Sequence, residues 1–180
     1  PHRVSADKRL PQTACAQVVS STNGVMTDSD DMPIAVRDIT VADAPEVARL
    51  LATLGYAWTA DIIAVRVAAF VANGERGLVA VRSPSATAGF LLGMAALHVT
   101  PVLHRAGPVG RLTALVVDEA ARGHGVGRAL VDAAEAIFAA RGCVLVEVTS
   151  NRRLTDAHAF YEKLGYTGTS LRFGKPLAPT

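Results

Sequence analysis

LTALVVDEAARGHGVGRAL, residues 112–130, passes in nineteen residues from an apolar run to a glycine-rich turn and then to an Ala/Leu-rich helical pattern. The apolar run is rich in β-branched residues and ends at Asp118. Such a run reads as a strand, and the residues after the turn read as the N-terminus of a helix. The first backbone N–H groups of a helix have no partner within it, so they form a ready anion site. Gly123, Gly125 and Gly127 carry no Cβ, which lets a diphosphate approach the main chain of the turn. Arg122 and Arg128 flank it with forked donors suited to phosphate. The stretch is therefore read as a pocket for a phosphate-bearing cofactor.

Working outward, the same patterns predict strands over 34–39, 77–82, 89–99 and 109–117 before the turn, with 83–85 a hairpin connection. Helices are predicted over 40–55 and 59–72, the first with Gly55 at its C-terminal end and the second with Ile62, Ile63, Val67, Phe70 and Val71 turned inward. After the turn come a helix over 126–140, a strand over 143–149, a helix over 155–164 and a closing strand over 165–173. The expected fold class is a mixed α/β (α+β) domain over 33–180, with a central sheet of about six to seven strands flanked by about four helices. Residues 1–32 have no sustained hydrophobic period and hold a Ser-Ser-Thr-Asn-Gly cluster and Asp28-Ser-Asp-Asp31. They are expected to form a flexible N-terminal arm.

Bulk properties narrow the class. Half of the 180 residues are hydrophobic and 19% are charged, a globular composition. The longest apolar run is about ten residues, against the ~20 needed to span a bilayer, so no membrane partner is expected. A net charge of +2 without a basic tract argues against a nucleic-acid partner. Cys15 and Cys143 are the two cysteines, without metal spacing, so no metal site and a reducing, cytoplasmic setting are expected.

The turn alone does not choose its nucleotide. No Lys-Ser/Thr pair comes after the last glycine, which excludes a P-loop. A dinucleotide fold would carry the turn after its first strand, whereas here it comes after the fourth. A second stretch, AHAFYEKLGY at 157–166, settles the choice. Arg122-x-x-Gly125-x-Gly127 after a strand, followed by Phe160-Tyr-Glu-Lys-Leu-Gly-Tyr166, resembles the two signature motifs of the GNAT acetyl-CoA-dependent N-acetyltransferases. The resemblance runs from Ile34 to Leu177. It implies acetyl-CoA as cosubstrate, with backbone groups of Leu115, Val116 and Val117 pairing with the pantetheine arm. It also implies that main-chain groups of Arg122, Gly123, His124, Gly125, Val126, Gly127 and Arg128 hold the pyrophosphate. Tyr161 matches the family tyrosine that protonates the departing thiolate, a task suited to a phenol that is protonated at neutral pH. Where many members have an asparagine seven residues before this tyrosine, the chain has Leu154, and Asn151 is the nearby substitute.

An attacking primary amine, with a pKa near 10.4, must first lose a proton. Histidine is the side-chain type suited to taking a proton near neutral pH; His98 and His104 lie just ahead of the cofactor strand, and Glu147 lies on the neighbouring strand. These three are the candidate bases; His124 reads as exposed beside phosphate and His158 as support for the last helix. An amide of the cofactor strand near Val117 is expected to face the oxyanion of the tetrahedral intermediate. Residues 149–153, Asp156-Ala-His158 and 169–173 are similar to a subgroup that includes the aminoalkylphosphonate N-acetyltransferases. That similarity implies a small-molecule amine acceptor, with Arg105, Arg111 or Arg172 available to an anionic group on it. Two other readings stay open: acetylation of a protein lysine or N-terminal amine, and a silent acetyl-CoA-binding domain. The family resemblance also implies a homodimer.

Overall fold

The structure is a computed structural model that describes residues 33–82 and 89–177. The expected arm over 1–32, with Cys15, and the expected hairpin connection at 83–85 lie outside the described residues. Five strands form one sheet in the order β1-β2-β3-β4-β5. They are β1 (Ala35–Asp38), β2 (Arg76–Val81), β3 (Gly93–Thr100), β4 (Val109–Val117) and β5 (Leu145–Val148). The first four are antiparallel neighbours, and β5 runs parallel to β4. A parallel pair needs a crossover, which helix α3 (Val126–Ala140) supplies.

Each face of the sheet carries its own core. On one face α3 buries Val126, Leu130, Val131, Ala134 and Phe138 against Leu78, Ala80, Ala95, Leu97 and Leu112. Gly110 lies under the Phe138 ring, where a Cβ would overlap the ring carbons. On the other face α1 (Ala44–Ala52) and α2 (Ala60–Ala72) bury Val47, Leu50, Ile63 and Val67 against Val79, Val81, Met94 and Val116. Thr59 caps α2 by accepting from the Ile62 amide. Helix α4 (Thr155–Lys163) adds Phe160, with Leu164 and Tyr166 just beyond it, to the α3 side.

A buried ion pair anchors the start of α1. Asp43, 2% exposed, takes both terminal nitrogens of Arg37 at 2.7 and 2.8 Å, and also accepts from the Thr40 amide and hydroxyl. Burial alone would push this carboxyl up, but the Arg37 and Thr40 donors outweigh it and hold it below the usual range. A depressed folded-state value means stability that is present above the unfolded value near 3.9 and lost as the pH falls through the folded one. Asp43→Asn is expected to cost about 3 kcal/mol in urea unfolding at pH 7, because the charge pair between Asp43 and Arg37 is lost. The gap to the parent should narrow at about pH 3.5. A gap that stays constant with pH would show that the carboxylate charge contributes nothing.

Two expectations need correction. The sheet has five strands among the described residues, not six to seven, because 165–173 is irregular. Its alternating Thr169, Leu171 and Phe173 meet no strand, and Leu171 and Phe173 stand exposed. In α2, Ile62 and Val71 point outward; the helix is apolar nearly all round, so periodicity could not select its buried face.

Candidate functional site

The site grows from a defect in β4. Cross-strand partners run Ala96↔Ala114 and then Leu97↔Leu112, so Thr113 is an extra residue on β4, a β-bulge. Its hydroxyl donates to the Ala96 carbonyl at 3.1 Å. Pairing with β5 covers Val109↔Leu145 to Leu112↔Val148 and stops there. Beyond the bulge, 114–117 continues to pair with β3 but has left β5, so the parallel strands part and expose the β4 edge that carries Leu115, Val116 and Val117. Open N–H and C=O groups on such an edge accept an extended partner.

At the end of that edge Asp118 accepts from the Ala120 amide and begins a single 3₁₀ turn, 119–121. The chain then passes through Gly123 and Gly125, both left-handed at φ +80° and +83°, with open space where each Cβ would be. Gly125 is the N-cap of α3 and offers no side chain to it, and the first turn of α3 has no acidic residue. The amides of Val126, Gly127 and Arg128 therefore meet a positive helix end that the chain itself does not neutralise. Arg122, His124 and Arg128 stand exposed around it. Gly127 carries a second constraint besides its place in the motif. A Cβ there would meet Phe160 at 3.2 Å and Val117 at 3.6 Å, so this glycine lets α4 pack against α3 and the end of β4.

That packing fixes Tyr161, the neighbour of Phe160. Its ring stands edge-on to Phe160 and Tyr166, with centroids 5.2 and 5.7 Å away. Tyr166 in turn donates its hydroxyl to Glu135 on α3 at 2.7 Å. Burial pushes the Tyr161 phenol up from its ordinary value, which favours the protonated form. Tyr166 closes the second motif, but Glu135 does not stand out in the sequence, since their partnership spans 31 positions.

Two of the candidate bases, His98 and Glu147, lie on the opposite face. Leu97 and Val99, and likewise Val146 and Val148, pack toward α3, so His98 and Glu147 between them point to the α1/α2 side. Arg111, between Gly110 and Leu112, points the same way. His98 pairs across the strands with Arg111, and Arg111 with Glu147. Glu75 completes the row, its carboxylate 2.5 Å from His98 Nδ1. With Nδ1 donating to Glu75, a neutral imidazole has Nε2 as its acceptor. Glu147 Oε1 receives both Nε, at 2.7 Å, and Nη2 of Arg111, so that oxygen is already engaged by the guanidinium. The same bond engages Arg111, a candidate on sequence grounds for an acceptor anion.

His104, Arg105 and Arg172 are exposed. His104 sits in the 101–108 loop before β4, at the end of that strand remote from the turn. Eight residue steps at about 3.3 Å put Val117 about 26 Å along the strand from its start. Asn151 accepts from the Arg153 amide through Oδ1, leaving its Nδ2 to donate, and its carbonyl meets His158 Nε2 at 3.0 Å. Leu154 stands at the start of α4, half-exposed. Among the described residues no group of His, Cys, Asp and Glu could hold a metal ion, and no helix is long and apolar enough to cross a membrane.

A mixed sheet that parts between its parallel strands, with an uncapped and glycine-entered helix at the parting, defines an acetyltransferase fold. The chain belongs to the acetyltransferase (GNAT) family, whose model matches residues 46–166. It is 37% identical over 89 residues to the aminoalkylphosphonate N-acetyltransferase of Salmonella typhimurium, a match of 49% of this chain and 58% of that protein. The match thus spans little more than half of that relative's length. Glucosamine 6-phosphate N-acetyltransferase 1 of Oryza sativa subsp. japonica is 31% identical over 116 residues, 64% of this chain and 68% of that one. The crystal structure of a Trypanosoma brucei acetyltransferase superposes with a TM-score of 0.68 at 26% identity, covering 81% of this chain and all of that one.

Proposed function

We propose that this protein transfers the acetyl group of acetyl-CoA to a primary amine of a small molecule. The observation that carries the reading is the parting of β4 from β5 after Leu112, directly ahead of an α3 N-terminus that the chain leaves uncapped. An open edge for an amide-bearing arm followed by an anion site matches the order of pantetheine and pyrophosphate in CoA. Leu115, Val116 and Val117 offer backbone groups to the arm, and 122–128 offers amides to the diphosphate. Two open left-handed glycines fit a diphosphate held against the main chain.

In the proposed reaction the amine nitrogen bonds to the acetyl carbon and the carbon–sulfur bond breaks. Tyr161 gives its phenolic proton to the sulfur. His98 Nε2 takes the proton of the amine, with Glu75 holding the ring by Nδ1. Acid and base then work from opposite faces of the sheet through the gap between β4 and β5. Relatives named for an aminoalkylphosphonate and for glucosamine 6-phosphate support a small acceptor in which an amine accompanies an anionic phosphorus group.

Release of free thiol from acetyl-CoA across a panel of small amines and lysine peptides tests the reading. Turnover with small amines is the expected result. Turnover with peptides alone would make this a protein acetyltransferase, and tight acetyl-CoA binding without thiol release on any amine would leave a binding domain. Glu75→Gln and His98→Gln are each expected to lower kcat by about 100-fold with the KM for acetyl-CoA unchanged. Full turnover in both would transfer the base role to Glu147.

A further inference from the structure

The residues that form the cofactor turn do not hold themselves in place. Asp118, one residue beyond β4, uses its two carboxylate oxygens in different directions. Oδ1 accepts from the Ala120 amide and starts the 3₁₀ turn, while Oδ2 is bound by Nη1 of Arg49, 69 positions earlier in α1. Arg49 makes four further contacts. Nε and Nη2 reach Glu46 Oε2 at 3.0 and 2.9 Å, Nη2 also donates to the Leu91 carbonyl at 3.0 Å, and the guanidinium stacks 4.3 Å from the Phe90 ring. Glu46 accepts from the Leu91 amide as well, and the Asp118 amide donates to the Leu92 carbonyl. One guanidinium therefore joins α1, the chain entering β3 and the chain leaving β4.

The geometry points to Arg49 as a positioning residue for CoA: through Asp118 it sets where the chain enters the diphosphate-binding turn. A planar fork suits this task, because Nη1 aims at Asp118 while Nη2 and Nε are fixed by Leu91 and Glu46. Asp118 is nearly buried, with 12% of its side chain exposed, so it has few alternative partners once Arg49 is gone. The 3₁₀ turn that it caps is three residues long and leads at once to Arg122 and Gly123. A tilt at Asp118 is passed directly to amides that must converge on one diphosphate. An arginine that only stabilised the fold would affect melting and leave the affinity of folded protein unaltered.

This inference rests on reading 122–128 as the diphosphate site, and calorimetric titration with CoA separates the two. No CoA binding by the parent protein would overturn that reading and the inference with it. With the parent binding, Arg49→Met and Asp118→Asn are each expected to raise the Kd for CoA about tenfold, the scale of one lost charge-assisted bond. The double variant should be no weaker than either single one, since both break the same link. Steady-state rates should show the KM for acetyl-CoA rising in step while the KM for the amine stays put. Asp118→Asn keeps the shape and the Ala120 cap, so it decides the matter if Arg49→Met does not fold. A Kd within twofold of the parent in Asp118→Asn would overturn the inference, as would simple additivity in the double variant.

Discussion

Tyr161→Phe is expected to lower kcat for amine acetylation by about 100-fold and to leave the Kd for CoA nearly unchanged. The substitution removes one oxygen and keeps the ring. Its edge-on contacts with Phe160 and Tyr166 persist, and Tyr166 remains tied to Glu135, so α4 has no reason to move. What disappears is the proton for the departing sulfur. Burial raises the Tyr161 phenol above its ordinary value near 10, so the acid form dominates at every pH below that. The ratio of parent to variant rates should therefore be flat from pH 7 to about 9.5. A ratio that collapsed within this window would mean that the hydroxyl acts in its ionised form, and an equal loss of CoA affinity would make it a packing group.

Gly125→Asp is expected to weaken CoA binding by at least about 100-fold while the protein still folds. Gly125 sits at φ +83° with nothing within 4 Å of the place a Cβ would take, and aspartate tolerates this conformation better than most residues. The strain is about 1 kcal/mol. The new carboxylate would also be an N-cap, the feature α3 lacks, so it offsets part of that strain by bonding the free amides. The same bonds occupy the anion site with a fixed negative charge. Thermal unfolding near the parent value together with lost CoA binding is the expected pair of results. Gly125→Ala separates the effects, since it carries the strain without the charge. Undiminished affinity in Gly125→Asp would remove the turn from the site.

Local features were legible in the sequence and pairwise ones were not. The boundaries of β4 and α3 emerge as predicted, because Asp118, the glycines and the Arg141-Gly142 stop are signals within a few residues of the element they bound. Gly127 illustrates the limit: its place in the motif gave no sign that a Cβ there would meet Phe160. The pairs Glu75–His98, Arg111–Glu147, Arg49–Asp118 and Glu135–Tyr166 join residues 23, 36, 69 and 31 positions apart. No spacing rule reaches that far. The closing strand failed for a related reason, since alternation in 165–173 shows what a strand would look like but does not supply its neighbour. The His98, Arg111 and Glu147 row was visible only as three separate candidates until cross-strand register aligned them.

Thr113 has a consequence for parity. Odd and even positions exchange faces at the bulge: Gly110 and Leu112 lie over α3 before it, and Leu115 and Val117 do so after it. Pairing all of 112–117 without the bulge would continue an unbroken alternation and so invert the far half of the strand, turning Val116 toward α3 and Leu115 and Val117 toward α1. Such a chain would keep its glycine turn, its Tyr161 and its composition. Its strand would arrive at the turn with the wrong side up.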